Sequence, residues 1–280
     1  MKKWIILLAL VALVFTGCSS KQESDNTTAQ TEGADQTAEK EVTVLKVGAT
    51  PVPHAEILNL VKDDLLAQGI QLEVVEFTDY VKPNLSLNDG EIDANFFQHV
   101  PYLNTFNEEH KFNLVSAGTV HVEPLGLYSD KLESIDALED GSTIAIPSDA
   151  VNGGRALILL SDNGLIKLSE DAGLEATEKD IVENTKGLKF ISVEAAQLPR
   201  VLQDVDAAVI NGNYAIEAGI NPAEDALILE GAESPYANII TVRNGDENRE
   251  DIKLLIQALQ TEKVKNFILE NYNGGVVPAF

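Results

Sequence analysis

The sequence predicts an α/β fold, because strand-like and helix-like patterns alternate along the chain from Val42 onward. Apolar residues make up 44% of the chain, which is enough to bury a core. Residues 90–96 and 204–211 each place an Asp-Ala pair in a short apolar string that ends near polar residues. Such polar residues would lie at the carboxyl ends of strands, where open α/β sheets bind ligands. The alternative is that these two short strings are similar by chance and do not mark ligand-binding strand ends.

Each element follows from its apolar spacing and from the turn residues beside it. Residues 42–47 alternate apolar and polar side chains, and residues 48–51 form a turn sequence. Apolar residues within 54–68 recur at helical spacing, and Gly69 suits the position after a helix end. The alternation favours mostly parallel sheets. The expected strands are residues 42–47, 72–77, 92–96, 114–122, 125–128, 143–146, 188–193, 207–210 and 239–243. The expected helices are residues 54–68, 101–109, 152–163, 197–202, 214–218, 251–259 and 263–272.

The N-terminus has the pattern of an exported bacterial protein. Two lysines precede an apolar stretch, residues 4–15, which is too short to span a bilayer comfortably. The stretch leads into the string FTGC, which resembles the lipobox of bacterial lipoproteins, although Phe15 stands where Leu is usual. The resemblance implies a signal peptide over residues 1–17 and an acyl chain, such as palmitate, on Cys18. An ordinary secretory signal with a chance Cys is the alternative.

Residues 18–41 are predicted to form a flexible tether. From Ser19 to Glu41 there is no large apolar side chain, so this segment cannot bury enough surface to offset its ordering entropy. A tether with an acyl anchor would hold the remaining domain near the outer face of the cell membrane.

The charge and the cysteine count exclude several classes of protein. The chain has 280 residues, with 20 Lys and Arg against 45 Asp and Glu, giving a net charge of -25. A phosphate backbone binds clustered Lys and Arg, so this balance argues against nucleic acid as a partner. One Cys excludes an intrachain disulfide and a zinc site built from several cysteines.

Motifs for catalysis and metal binding are weak. The sequence has no G-x-S-x-G, no Walker loop and no H-E-x-x-H string. His99, His110 and His121 recur every 11 residues, but they fall on different expected elements, which argues against a metal site. An enzyme that uses His99 or His54, and an adhesin with a lipid anchor, stay open as alternatives.

Five strings cover residues 46–58, 93–103, 146–157, 208–215 and 234–238. Together they resemble the methionine-binding lipoproteins of bacterial ABC importers. The resemblance implies a type II, two-lobed periplasmic-binding-protein-like fold with two hinge crossovers, near residues 121–125 and 231–239. Lobe 1 would contain residues 42–122 and 239–280, and lobe 2 would contain residues 123–238. The implied function is a monomeric receptor, not an enzyme, that delivers methionine to an ABC transporter permease. D-methionine and a methionine-containing dipeptide are alternative ligands.

A free amino acid presents a carboxylate, an ammonium group and a side chain, and the candidate residues suit these groups. Arg155 offers a bidentate fork for the carboxylate and follows Asn-Gly-Gly at an expected helix start, where free N–H groups favour an anion. The alternative for Arg155 is an ion pair at the surface or between the lobes. If Arg155 forms no such ion pair, its replacement should change the stability of the ligand-free protein little. Asn213 and Asn238 can bind either the carboxylate or the ammonium group.

The resemblance also implies a pocket for the thioether, because sulfur makes favourable contacts with aromatic rings. The candidates are Tyr80, Phe97, His99 and Tyr102. A core role is the alternative for Phe97.

Overall fold

The computed structural model describes residues 42–231 and 235–280. The predicted signal peptide, the lipidation site Cys18 and the predicted tether lie outside the described residues. Part of the expected second crossover, residues 232–234, also lies outside them.

Strands and helices alternate along the described chain. The strands are β1 (Thr43–Ala49), β2 (Ile70–Glu76), β3 (Ala94–His99), β4 (Leu114–Val122), β5 (Gly126–Tyr128), β6 (Thr143–Pro147), β7 (Lys167–Leu168), β8 (Ile181–Glu183), β9 (Lys189–Val193), β10 (Ala207–Ile210), β11 (Ile228–Leu229), β12 (Ala237–Arg243) and β13 (Val277–Pro278). The helices are α1 (Glu56–Leu60), α2 (Lys62–Ala67), α3 (Lys82–Asn88), α4 (Val100–His110), α5 (Ala150–Asp162), α6 (Leu198–Val201), α7 (Gly212–Glu217), α8 (Pro222–Asp225), α9 (Glu250–Leu259) and α10 (Glu262–Asn271).

Two large sheets define two lobes. A six-stranded sheet, with the order β13-β4-β12-β3-β1-β2, forms lobe 1 from segments near both ends of the described chain. A five-stranded sheet, with the order β11-β5-β10-β6-β9, forms lobe 2 from the middle of the chain. The chain passes from lobe 1 to lobe 2 between β4 and β5, and it returns between β11 and β12. These two passages are the first and second crossovers.

The prediction of mostly parallel sheets is wrong, because both large sheets are mixed. Parallel pairs join β1 to β2 and β3, and they join β6 to β9 and β10. The strands beside the crossovers are antiparallel to their neighbours, since β12 re-enters lobe 1 against β3 and β4, and β5 lies against β10 and β11. A chain that leaves a sheet and returns to it beside the point of exit runs in the opposite direction on its return.

Each lobe has its own hydrophobic core, which follows from the burial pattern of its strands. Leu45 and Val47 of β1 are fully buried and pack with Phe96 in the core of lobe 1. Ile144 and Val209 take equivalent places in the core of lobe 2. Because each core fixes its own sheet, the strand ends and helix starts that face the other lobe are held in defined positions.

The bounds of several elements differ from those expected. The third strand is Ala94–His99 rather than residues 92–96, so the polar Gln98 and His99 belong to the strand itself. The helix expected over 54–68 is divided at Val61, whose φ of -99° and ψ of 2° are not helical. The sequence pattern also missed α3, because the mainly polar Lys82–Asn88 lacks a clear apolar face.

Candidate ligand-binding site

A small cavity lies between the two lobes and is lined by residues of both. Its volume is about 20 Å³, which is room for about one water molecule. Side chains must therefore move apart before a molecule the size of an amino acid can enter. The lining residues are Tyr80, Phe97, Gln98, His99, Tyr102, Glu123, Asn152, Arg155, Asn211, Gly212 and Asn238.

Lobe 1 contributes a cluster of aromatic rings. Phe97 lies near the carboxyl end of β3, and Tyr102 lies in the first turn of α4. The ring of Tyr80 is 5.8 Å from the ring of Phe97 and 5.9 Å from that of Tyr102, centroid to centroid. The Tyr102 hydroxyl donates to the backbone carbonyl of Tyr80 at 3.0 Å, which fixes the two rings relative to each other. The cluster forms an apolar, polarizable wall.

His99 is held as a neutral ring at the junction of β3 and α4. Its Nδ1 accepts the backbone N–H of Tyr102 at 3.2 Å and so caps α4. Its ring centroid is 4.9 Å from that of Tyr236. Burial, with the nearby positive charge of Arg155, lowers the pKa of His99 to about 3. The ring therefore supplies an uncharged wall at neutral pH.

Arg155 points into the space between the crossovers from α5. Its Nε donates to Glu230 Oε1 at 3.0 Å, and its Nη2 donates to Glu230 Oε2 and, at 2.9 Å, to the backbone carbonyl of Glu123. The guanidinium carbon lies 4.2 Å from the ring centroid of Tyr236. The expectation that Arg155 lacks a partner in the empty protein is wrong, because its fork is engaged by Glu230.

The prediction that Arg155 lies at the start of α5, beside free N–H groups that could bind an anion, is also wrong. The helix begins at Ala150, so Arg155 lies in the second turn, and the Asp149 side chain caps the first turn by accepting the Asn152 N–H at 2.9 Å. A Cβ on Gly154 would lie 2.3 Å from the carbonyl oxygen of Leu174, so glycine allows a neighbouring loop to pack against this helix. The packing holds Arg155 in place.

Asparagine side chains add polar atoms without partners. The Tyr80 hydroxyl donates across the cleft to Asn213 Oδ1 at 2.5 Å, whereas Asn213 Nδ2 has no hydrogen-bond partner among the described residues. Asn211 Nδ2 donates to Asn152 Oδ1 at 2.9 Å, whereas Asn211 Oδ1 has no such partner. Buried polar atoms are normally paired. Asn211 lines the cavity, so its free acceptor is suited to a polar ligand, whereas the free donor of Asn213 lies outside the lining.

Glu123, which lines the cavity, forms a buried cluster with two histidines. Its Oε1 lies 2.7 Å from His121 Nε2 and 3.1 Å from His54 Nε2. Among residues 42–231 and 235–280, these three form the group whose potential metal-binding atoms, one from each side chain, lie within 4.8 Å of one another. The short distances are those of hydrogen bonds. Burial raises the pKa of Glu123, but interactions with His54 and His121 outweigh burial and hold it well below its usual value.

Six of the sequence-predicted site residues line the cavity. The seventh, Asn213, is not in the lining and touches the site through Tyr80. Asn238 is turned toward lobe 1, where its Oδ1 lies 3.1 Å from His54 Nε2. The six lining residues are Tyr80, Phe97, His99, Tyr102, Arg155 and Asn238.

Sequence reasoning missed several residues of the site. Asn211 could have been found, because it ends the string 204–211, and Gln98 could have been found, because it follows the string 90–96 by two residues. Glu230 carried no local signal, since Arg155 is 75 positions away. Glu123 lies two positions from His121, but its partner in lobe 2, Asn213, is 90 positions away.

Comparison with known proteins identifies the family. Residues 45–280 match the model of the NlpA lipoprotein family. The chain belongs to this family. The D-methionine-binding lipoprotein MetQ of Escherichia coli is 43% identical to this NlpA-family chain over 244 residues, which are 85% of the chain and 89% of MetQ. The family resemblance drawn from the sequence is thereby confirmed.

Solved structures of similar sequence confirm the two-lobed α/β fold. A nutrient-binding protein from Burkholderia cenocepacia bound to methionine aligns with a TM-score of 0.82 at 44% identity, covering 84% of this chain and 100% of that one. Lipoprotein Tp32 of Treponema pallidum aligns with a TM-score of 0.83 at 43% identity, covering 85% and 100%. The family is one of substrate-binding lipoproteins rather than enzymes. Within the described part of this NlpA-family chain, no helix has the length and apolar character needed to cross a bilayer.

Proposed function

We propose that this NlpA-family protein is a methionine receptor anchored by Cys18 outside the membrane, and that it delivers methionine to the permease of an ABC importer. The relatives support the ligand, since one is named for D-methionine and another was solved with methionine bound. The protein acts as a monomer and carries out no chemical step. D-methionine and a methionine dipeptide are the alternative ligands.

The observation that carries the proposal is the division of the cavity into an aromatic wall and a polar wall. Lobe 1 presents Tyr80, Phe97 and Tyr102, whose rings suit a thioether. Lobe 2 presents Arg155 and the amides of Asn152 and Asn211, which suit a zwitterionic amino-acid head. A ligand with a sulfur-containing side chain at one end and paired opposite charges at the other satisfies both walls.

The polar head of the ligand has defined partners in this proposal. Its carboxylate lies against the Arg155 guanidinium and, once the side chains have moved apart, accepts from Asn213 Nδ2, which lies outside the lining and has no partner among the described residues. Its ammonium group donates to Asn211 Oδ1, which is likewise unpaired there. Asn238 Oδ1, now beside His54, is a second candidate acceptor. Each contact removes the cost of a buried polar atom that lacks a hydrogen bond.

Arg155 is preorganised for this role. Glu230, which does not line the cavity, accepts a hydrogen bond from the Arg155 guanidinium, and the ring of Tyr236 packs against the guanidinium. Holding the side chain in one rotamer removes part of the ordering cost of binding.

Entry of the ligand requires the lobes to separate. The Tyr80–Asn213 hydrogen bond spans the cleft, and a second bond joins the Tyr214 hydroxyl to the backbone carbonyl of Thr78 at 3.3 Å. Both break on opening. Contacts from both lobes to the ligand exist together only in the closed form, so the ligand stabilises closure, the state offered to the permease.

The proposal is tested by mass spectrometry of small molecules released when freshly purified protein is denatured. We expect methionine, with chiral chromatography assigning its L or D form. The same preparation is incubated with methionine and with methionyl dipeptides to test for turnover. A released nucleotide or sugar, or steady conversion of an added amino-acid derivative, would contradict the receptor assignment.

A further inference from the structure

Glu123 in the first crossover touches both lobes with a single side chain. The residue is 6% exposed and follows β4 directly. Its Oε1 faces two histidines of lobe 1, and its Oε2 accepts the backbone N–H of Asn213 in lobe 2 at 3.0 Å. The carboxylate therefore connects the two lobes at the point where the chain passes between them.

On the lobe 1 side, the hydrogen bonds are fixed by the other nitrogens of the two rings. His121 Nδ1 has no partner among the described residues, so the proton of His121 is placed on Nε2, which donates to Glu123 at 2.7 Å. His54 Nδ1 lies 2.7 Å from the Thr50 hydroxyl, which can donate to it. His54 Nε2 then carries a proton that faces two acceptors, Glu123 Oε1 at 3.1 Å and Asn238 Oδ1 at 3.1 Å.

On the lobe 2 side, Glu123 positions two residues of the proposed binding site. Asn213 is held by its backbone N–H, and Arg155 is held by its bond to the backbone carbonyl of Glu123 at 2.9 Å. The packing is close, because a Cβ on Gly212 would lie 3.0 Å from the Cβ of Glu123. A displacement of Glu123 would therefore move both partners.

We propose that Glu123 is a positioning residue that joins the lobes and sets Asn213 and Arg155 in place for ligand binding. The effect on methionine affinity rests on the proposed function, whereas the connection between the lobes does not. His121 Nε2 and the backbone N of Asn213 donate to the carboxylate, and the N–H of His54 is shared between the carboxylate and Asn238 Oδ1. A carboxylate accepts from each of them, whereas a carboxamide would have to set its NH₂ group against at least one donor.

The test compares Glu123→Gln with Asp206→Asn in the full-length protein. Asp206 is a matched control, because its Oδ2 also accepts a backbone N–H, that of Thr143 at 2.7 Å, within lobe 2 and away from the cavity. Hydrogen exchange measured by mass spectrometry reports the Asn213 peptide and the Thr143 peptide separately. Methionine affinity is measured on the same samples by calorimetry.

We expect Glu123→Gln to speed exchange of the Asn213 peptide at least tenfold and to weaken methionine binding at least tenfold, as expected for loss of a hydrogen bond to a charged group. Asp206→Asn should speed exchange of the Thr143 peptide and leave methionine affinity within threefold. If Glu123→Gln exchanges like wild type at Asn213 and binds methionine within threefold, the proposal is overturned. If wild type fails to bind methionine but Glu123→Gln still loosens the Asn213 peptide, the ligand assignment fails and the connection by Glu123 stands.

A measurement on the wild-type protein covers the case in which Glu123→Gln does not fold. In the protein labelled with ¹⁵N-histidine, we expect His121 to show a protonated Nε2 and a bare Nδ1 at neutral pH. The opposite tautomer would remove the donor from Glu123 and contradict the proposal.

Discussion

Arg155 and Glu230 form a two-bond ion pair at the second crossover, although 75 positions separate them in the sequence. The Arg155 side chain is 4% exposed and that of Glu230 is 18% exposed. Because Arg155 lines the cavity and Glu230 does not, the pair places a fixed guanidinium at the polar wall. Because of this pair, the loss of Arg155 should lower the stability of the protein as well as its affinity for the ligand.

Arg155→Ala should weaken methionine binding by about 30-fold to several-thousand-fold, the range for removing one partner of a buried charged pair. It should also lower the free energy of unfolding of the empty protein by about 1–3 kcal/mol, because Glu230 loses its partner. Arg155→Lys should recover part of the affinity, since an ammonium group keeps the charge without the fork. Calorimetry and urea unfolding measure the two effects. An affinity within threefold of wild type for Arg155→Ala would remove Arg155 from the site.

Glu230→Gln should weaken methionine binding by about threefold to tenfold, because a neutral amide holds the guanidinium less firmly than a carboxylate does. Calorimetric titration against wild type measures the change. Tighter binding by the variant would contradict this role, since it would indicate that Glu230 competes with the ligand carboxylate for Arg155.

The neutral state of His99 predicts a pH-dependent stability. The pKa of His99 is lowered to about 3 in the folded protein, from an ordinary value of 6.5. Between these values the unfolded chain binds a proton that the folded protein does not, so stability is lost as pH falls below about 6.5. At pH 5 the loss from this residue is about 2 kcal/mol.

The variant His99→Asn isolates this contribution, since Asn also caps helices. Urea unfolding of both proteins at pH 7 and pH 5 gives the change in the free energy of unfolding of each. The contributions of other groups, such as His121, are common to both proteins and cancel in the difference. We expect the variant to lose less stability than wild type on acidification. Equal losses in the two proteins would show that His99 titrates normally.

The anchor prediction concerns residues outside those that the structure describes. Cys18→Ala should abolish lipid attachment and cleavage before residue 18, while methionine binding by the domain stays within threefold of wild type. Ser19→Ala is the control, because it leaves the cysteine in place. Intact-mass spectrometry of membrane-extracted protein decides the matter, and wild-type protein without an acyl chain on Cys18 would contradict the lipobox assignment.

Sequence patterns predicted most elements, because local apolar spacing specifies them. The strand over 114–122 and the strand over 207–210 agree with the structure to the residue. Patterns failed where structure depends on distant partners. The sheet of lobe 1 is mixed because β12 returns beside β4, and that of lobe 2 is mixed because β5 lies antiparallel to β10 and β11. The short β13 exists because it pairs with β4. A two-residue strand has no periodicity to read.

The candidate site also contains residues that local patterns could identify and residues that depend on distant partners. Aromatic residues near β3 and the arginine after Asn-Gly-Gly could be selected from residue type and resemblance. The pairing of Arg155 with Glu230 could not, because an ion pair across 75 positions leaves no local pattern. His54 is likewise far in the sequence from His121 and Glu123, so the cluster of these three residues was not found. The regular spacing of His99, His110 and His121 does not bring those three histidines together.

Phe97→Ala should change ligand selectivity rather than abolish binding. Removing the ring deletes contacts to the ligand side chain and leaves the polar wall intact. Sulfur–aromatic contacts are worth up to about 1.5 kcal/mol, so we expect methionine affinity to fall by about tenfold and alanine affinity to change by less than threefold. Equal losses for both ligands would place Phe97 in the core rather than in the thioether pocket.

Calorimetric titration of ligand-depleted wild-type protein with methionine, alanine and glycine tests the central claim most directly. Depletion is achieved by unfolding the protein in urea, dialysing it and refolding it. The receptor assignment predicts one methionine bound per chain, at an affinity at least a hundredfold above that for alanine, since the longer side chain fills the aromatic wall. Refolded protein that regains its circular dichroism spectrum yet binds neither enantiomer of methionine would contradict the assignment.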